Sequence, residues 1–176
     1  MKTNTRTRFL KETDAGPDGL TARRPFKMEQ QNQRQFIRLE ISAPMSLQKI
    51  RDAGNGFWPE GDSHTIHGLI LNISAGGVLV DLNEAINTGD IVSMRFTLQD
   101  VEALDYILGL VKRVDQDADG VLAGIEFITR EDLQDMFSTG EIDVLSERYC
   151  GFDRSIRQIL DRYVYQEKEN SDKSES

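Results

Sequence analysis

The feature that most constrains the fold is a series of short apolar/polar alternations between Phe36 and Ile128, each broken by a cluster of turn-forming residues. Ile37, Leu39 and Ile41 alternate with Arg38, Glu40 and Ser42, the period of a strand with one buried face. Pro44 suits the end of that strand or an edge position, because it has no N–H to give a ladder. Residues 52–63, with Gly54, Gly56, Pro59 and Gly61, read as a loop. Further strands are expected at Thr65–Leu71, Val78–Val80, Ile91–Leu98, Tyr106–Val114 and Val121–Ile128, the last two joined across an Asp/Gly turn. About six short strands at spacings of roughly 8–15 residues predict a mainly β chain, folded as a small six-stranded antiparallel barrel.

After Ile128 the period changes to that of helices, so a C-terminal helix or helices should follow the barrel. Thr129 can cap a short helix carrying Leu133, Met136 and Phe137, which Gly140 is expected to end. Leu145, Tyr149, Phe152, Ile156, Ile159 and Tyr163 then recur every three or four residues, the seam of a helix weakened at Gly151. That seam is expected to pack on the barrel, with a helix-to-helix dimer as the alternative, so the assembly is a monomer or a homodimer. The expected organisation is a flexible basic leader over 1–31, a barrel over 32–128, a helical extension over 129–165 and a disordered Glu/Lys/Ser-rich tail over 166–176.

Charge is unevenly spread. Residues 1–38 hold nine Lys/Arg and four Asp/Glu, whereas the remainder holds twelve and twenty-six, so a basic arm joins an acidic body whose net charge for the whole chain is −9. Such a body does not suit general binding to a nucleic acid polymer. Cys150 is the only cysteine, which excludes an intramolecular disulfide and a Cys-based zinc site and fits a cytoplasmic protein. The start of the chain has no apolar stretch behind its basic residues, and nowhere do eighteen apolar residues run together, so neither export nor a membrane span is expected.

Arg34 and Arg38 stand where the basic arm meets the first strand. A guanidinium is permanently charged, presents a planar fork of donors to phosphate oxygens or a guanine edge, and stacks on a base. Asn72-Ile73-Ser74-Ala75-Gly76-Gly77 interrupts a strand pair with side chains that can hydrogen-bond a heterocycle and with glycines that permit positive φ or close backbone approach. Taken separately, two surface arginines or one tight turn would be unremarkable. Their combination in a barrel-like chain is more specific.

On these residues the chain resembles the PilZ family, whose signatures RxxxR and D/N-x-S-x-x-G are matched at 34–38 and 72–77. Gly124-Ile125-Glu126-Phe127 is similar to the family's closing strand, and 153–164 to its terminal helix. The resemblance implies a barrel that binds cyclic di-GMP, with no further cofactor, beneath an arginine loop that orders on binding and signals to a downstream protein partner. It further implies that Arg34 and Arg38 engage phosphates and guanine, that Asn72 and Ser74 read guanine, and that Gly77 keeps the loop's shape. Motility, attachment and polysaccharide export are the processes implied. Gln33 departs from the family, many of whose members carry arginine there, and residues 129–152 look like an insertion ahead of the final helix.

Two other readings are carried forward. A PilZ-like adaptor could act through protein contacts without a ligand. A calcium module could use Asp115, Asp117, Asp119, Gly120 and Glu126, which have the spacing of a calcium loop, although the flanks read as strands rather than helices. His64 and His67, three apart on a strand, face opposite ways and do not suit a shared metal, and Trp58 is expected to pack at the core or barrel edge. No catalytic constellation is present, so the chain is read as a receptor and not as an enzyme.

Overall fold

The computed structural model describes residues 14–16, 19–21, 35–58, 63–98, 103–145 and 147–174. The chain divides into two units, Met1–Gln35 and Phe36–Ser176. In the first, β1 (Asp14–Gly16) and β2 (Gly19–Thr21) form an antiparallel pair with Ala15 opposite Leu20, within the stretch expected to be a flexible leader.

The second unit contains six further strands: β3 (Leu39–Arg51), β4 (Thr65–Ser74), β5 (Gly77–Leu82), β6 (Ile91–Phe96), β7 (Leu104–Gln116) and β8 (Val121–Phe127). They close into an antiparallel barrel in the order β3-β4-β5-β8-β7-β6, as the alternation predicted. Closure leaves no strand edge exposed for pairing with another chain. β3 closes it by pairing with β4 on one side and β6 on the other. Pro44 does not end β3; it lies opposite Leu69 of β4 at a point the β6 ladder, which starts at Met45, has not reached. The strand is locally an edge there, so proline's missing N–H costs no ladder bond.

Inside the barrel Leu47, Ile70, Val80, Met94, Val111 and Ile125 form one core. A second core lies outside it. Ile50, outward by the alternation that turns Met45 and Leu47 inward, joins Ile91 and Leu108 there, and the extra residue that β3 gains against β6 between Lys49 and Arg51 carries Arg51 to the same side, over the Phe57 and Phe137 rings. The outward apolar face is covered by α1 (Arg130–Met136), α2 (Thr139–Val144) and a 3-10 turn (Glu147–Cys150), which contribute Leu133, Phe137, Leu145 and Tyr149. β6 is therefore buried on both faces, as its run Ile91-Val92-Ser93-Met94 records. Residues 129–152 supply most of this cover. Against it Tyr106, the one non-glycine residue with positive φ (57°) among those described, stacks edge-on to Tyr149 with centroids 5.7 Å apart.

Thr129 caps α1 as expected: its hydroxyl accepts from the Asp132 N–H, and the Asp132 carboxylate accepts from the Thr129 N–H and O–H. Gly140 does not end this helix. Phe137 does, turning to extended backbone to bury its ring, and Gly140 lies inside α2, whose Glu141 carboxylate accepts from the Ser138 N–H and O–H.

The single apolar seam expected from Leu145 to Tyr163 is divided. Leu145 and Tyr149 belong to the outer core, whereas Phe152 packs on Phe127 in the inner one, centroids 5.1 Å apart. The final helix, α3, starts afresh at Arg154 and runs to Ser174, so its phase is set independently. Leu160 (1% exposed) and Val164 carry its buried face, and Ile159 is 53% exposed. The stretch from 166, expected from its composition to be disordered, continues this helix to Ser174. No helix among the described residues is long and apolar enough to cross a membrane.

Asp90, 1% exposed, ties two barrel loops together: its Oδ1 accepts from the Ala53 N–H at 3.1 Å and its Oδ2 from the Asn87 N–H at 2.9 Å, with the Lys49 ammonium 3.7 Å away. Asp90→Ala leaves two backbone donors without partners and is expected to lower stability by about 2–4 kcal/mol, read as a lower urea midpoint at unchanged m-value. Phe152→Ala, which empties a fully enclosed site, should cost about 3–5 kcal/mol in the same measurement.

Candidate functional site

The β4–β5 hairpin carries the Asn72–Gly77 motif, with Ser74 opposite Gly77 and Ala75-Gly76 between them. Ser74 is 8% exposed. Its hydroxyl donates to the Gly77 carbonyl at 3.3 Å and accepts from the Gly76 N–H at 3.2 Å, so it closes the turn. The Gly76 carbonyl in turn accepts from the Phe127 N–H at 2.9 Å, fastening the hairpin tip to the end of β8.

Neither glycine of the loop has positive φ, and both are needed for close approach instead. A Cβ on Gly77 would collide with the Ile125 carbonyl oxygen on β8, and one on Gly76 would lie 2.6 Å from Phe36 Cδ2. The first is a backbone clash that the barrel cannot relieve. The second shows that Gly76 makes room for an aromatic ring from the basic arm.

Asn72 is positioned by a bulge. β4 gains one residue against β5 between Ile70 and Asn72, so Ile70 and Ile73 both face the core although they are three apart. Unbroken alternation from Ile66 and Ile70 would have turned Asn72 inward. With the bulge it lies half-buried on the outer side, opposite Glu40 of β3.

The same register brings the arm to this loop. Leu39 pairs with Ile73, so Arg38, exposed and one residue earlier, stands at the barrel end where Ser74 turns. Arg34 lies outside the described residues, so Arg38, Asn72, Ser74 and Gly77 are the motif positions brought together. From Phe36 onward the chain makes contacts with the rest of the barrel unit. Above the Phe36 ring lies Arg157 of α3, Cζ 5.8 Å from the centroid. Neither Phe36 nor Arg157 was marked as a site residue by the sequence; the only signal was an aromatic between the two arginines. Glu126, opposite Gly77 on β8, is paired with Lys112 at 3.3 Å, which offsets its charge beside the loop.

The calcium-loop pattern is a β-hairpin turn. Asp117 Oδ1 accepts from the N–H groups of Asp119 and Gly120, Asp115 pairs with Arg113 at 3.2 Å, and Glu126 lies well along β8. These carboxylates do not converge, and among the described residues no three His, Cys, Asp or Glu side chains are grouped to hold a metal. His64 precedes β4 and meets Glu84 at 2.7 Å, while His67 lies within the strand. Trp58 is half-buried at the end of the β3 loop, its Nε1–H donating to Asp52 Oδ2 at 3.1 Å beneath the Lys49 ammonium. The hydrogen bond from the Lys49 ammonium, 2.7 Å from Oδ1, and its charge, with a smaller part from Trp58, hold the Asp52 carboxyl below its ordinary pKa.

Several solved structures are similar to this chain. The Bacillus subtilis inhibitor of motility (MotI/DgrA) is 16% identical with a TM-score of 0.49, over 88% of this chain and 56% of that one. Escherichia coli YcgR in complex with c-di-GMP is 12% identical with a TM-score of 0.49, over 81% and 50%. The PilZ domain of the same YcgR with c-di-GMP is 13% identical with a TM-score of 0.47, over 82% and 98%. The chain thus spans about half the length of the first two. Among curated proteins none is significantly similar in sequence. The sequence model of the PilZ domain matches residues 32–138, which take in the whole barrel and α1. With more than half of its length matched in this way, the chain belongs to the PilZ domain family.

Proposed function

We propose that this protein is a non-catalytic receptor for cyclic di-GMP that passes ligand occupancy to a protein partner in motility, attachment or polysaccharide export. The observation that carries the reading is the register pairing Leu39 with Ile73, which sets Arg38 beside the Ser74 turn in a PilZ-family barrel. The ligand's two phosphates suit guanidinium forks, and its guanines offer edges for Asn72 and flat faces for arginine stacking. In this reading Arg34 and Arg38 hold phosphate and guanine, and Asn72 reads a guanine edge. Ser74 acts mainly by holding the turn, since both of its hydrogen bonds stay within the loop. Gly77 keeps the strands at the spacing the loop needs.

A ligand-free adaptor working through protein contacts is the competing reading, and Arg38 standing beside an intact Asn72–Gly77 loop supports the receptor. Calorimetric titration with cyclic di-GMP, with GTP as control, decides between them: micromolar or tighter binding of the dinucleotide alone is expected, and a folded protein that gives no heat would favour the adaptor. Arg38→Ala should weaken binding by about 1.5–3 kcal/mol, roughly 10- to 150-fold, through loss of a charge-assisted contact. Arg95→Ala, outside both motifs and paired with Asp105, should bind as the wild type does. Ser74→Ala is expected to weaken binding while costing about 1 kcal/mol of stability, since the turn loses its side-chain bonds.

A further inference from the structure

Phe36 lies midway between Arg34 and Arg38, so the place where its ring is held sets where the arm leaves the barrel. On one side the ring occupies the space that a side chain at position 76 would fill. Over it lies the guanidinium of Arg157, brought by a helix far away in sequence.

Arg157 is an unusual choice for a packing position. Its side chain is 28% exposed, its Nε is buried with no hydrogen-bond partner, and one terminal nitrogen is 3.7 Å from Asp132 Oδ2. That oxygen already accepts from the Thr129 N–H at 2.8 Å and O–H at 2.7 Å in the α1 cap. A buried donor without a partner costs free energy, and an apolar side chain would cover Phe36 without that cost. A planar cation adds attraction to the ring face and a charge that Asp132 can anchor.

We propose that Arg157 is a positioning residue of the nucleotide site: it clamps Phe36 against Gly76, and so sets the Arg38 arm over the Asn72–Gly77 loop. Asp132 anchors the clamp, which joins the arm to both α3 and α1. The clamp itself stands on contacts within the protein; its effect on affinity rests on the cyclic di-GMP reading.

Two measurements on the full chain test it. Backbone order parameters from 15N relaxation, without ligand, should fall at Phe36, Ile37 and Arg38 in Arg157→Met and stay unchanged at Val80 and Ala123. Arg157→Lys, which keeps a cation over the ring, should recover part of the loss. Unchanged order at 36–38, or a loss spread evenly over the barrel, would overturn the clamp whatever the ligand does. In titrations with cyclic di-GMP, Arg157→Met should weaken binding roughly fivefold or more, the scale of a partly desolvated cation–π contact. In a Phe36→Leu background it should weaken binding no further, because the clamp acts through the ring. Losses that add in the double variant would mean that Arg157 meets the ligand directly, and would overturn the positioning role. A wild type that gives no heat would sink the receptor reading alone, leaving the order parameters to decide on the clamp.

Discussion

The structure depends on β3 pairing along one edge with β4 and along the other with β6. That double pairing closes the sheet, and closure satisfies the backbone groups that an open six-stranded sheet would leave at its edges. It also carries the site, because the β3–β4 ladder is what brings the end of the basic arm to the Ser74 turn. Barrel closure and the geometry of the candidate site thus share one set of hydrogen bonds. A slip of one residue in this register would both turn Leu39 out of the core and carry Arg38 away from the loop.

Two of the barrel's five register shifts change what its outer side presents. The one between Lys49 and Arg51 brings Arg51 to the outer side beside Ile50, over Phe137 of the segment 129–152, so a segment that reads as an insertion serves as the lid of a second core. The one after Ile70 turns Asn72 from the core to the outer side. An amide buried among isoleucines would have been costly, and outside it is available for recognition. Both devices add a single residue to a strand, and each changes which side of the sheet the following side chains occupy.

The six strands, their approximate bounds, the Thr129 cap and the turn at Ser74–Gly77 were legible because each is a local pattern: a period, a cap or a turn. The division of the C-terminal seam was not. Leu145, Tyr149, Phe152 and Ile156 share a helical spacing, and Gly151 marks the only weak point, yet the residues separate between two cores because the chain restarts at Arg154. Ile159 fitted the seam by count and is exposed, while Leu160 takes its place. Gly140 similarly looked like a stop signal, but the burial of Phe137 ended the helix first.

Sequence by itself determined the class of the fold and the family, since each is written in residue types at short spacing. Only tertiary structure decided which face Asn72 presents, why Gly76 and Gly77 must lack side chains, and that Phe36 meets Arg157 across some 120 residues of chain. The physical reason is the same in each case. Bulges, close approaches and ring–cation contacts arise from the way strands and helices settle against one another, and a side chain's partner in that packing has no fixed separation along the chain.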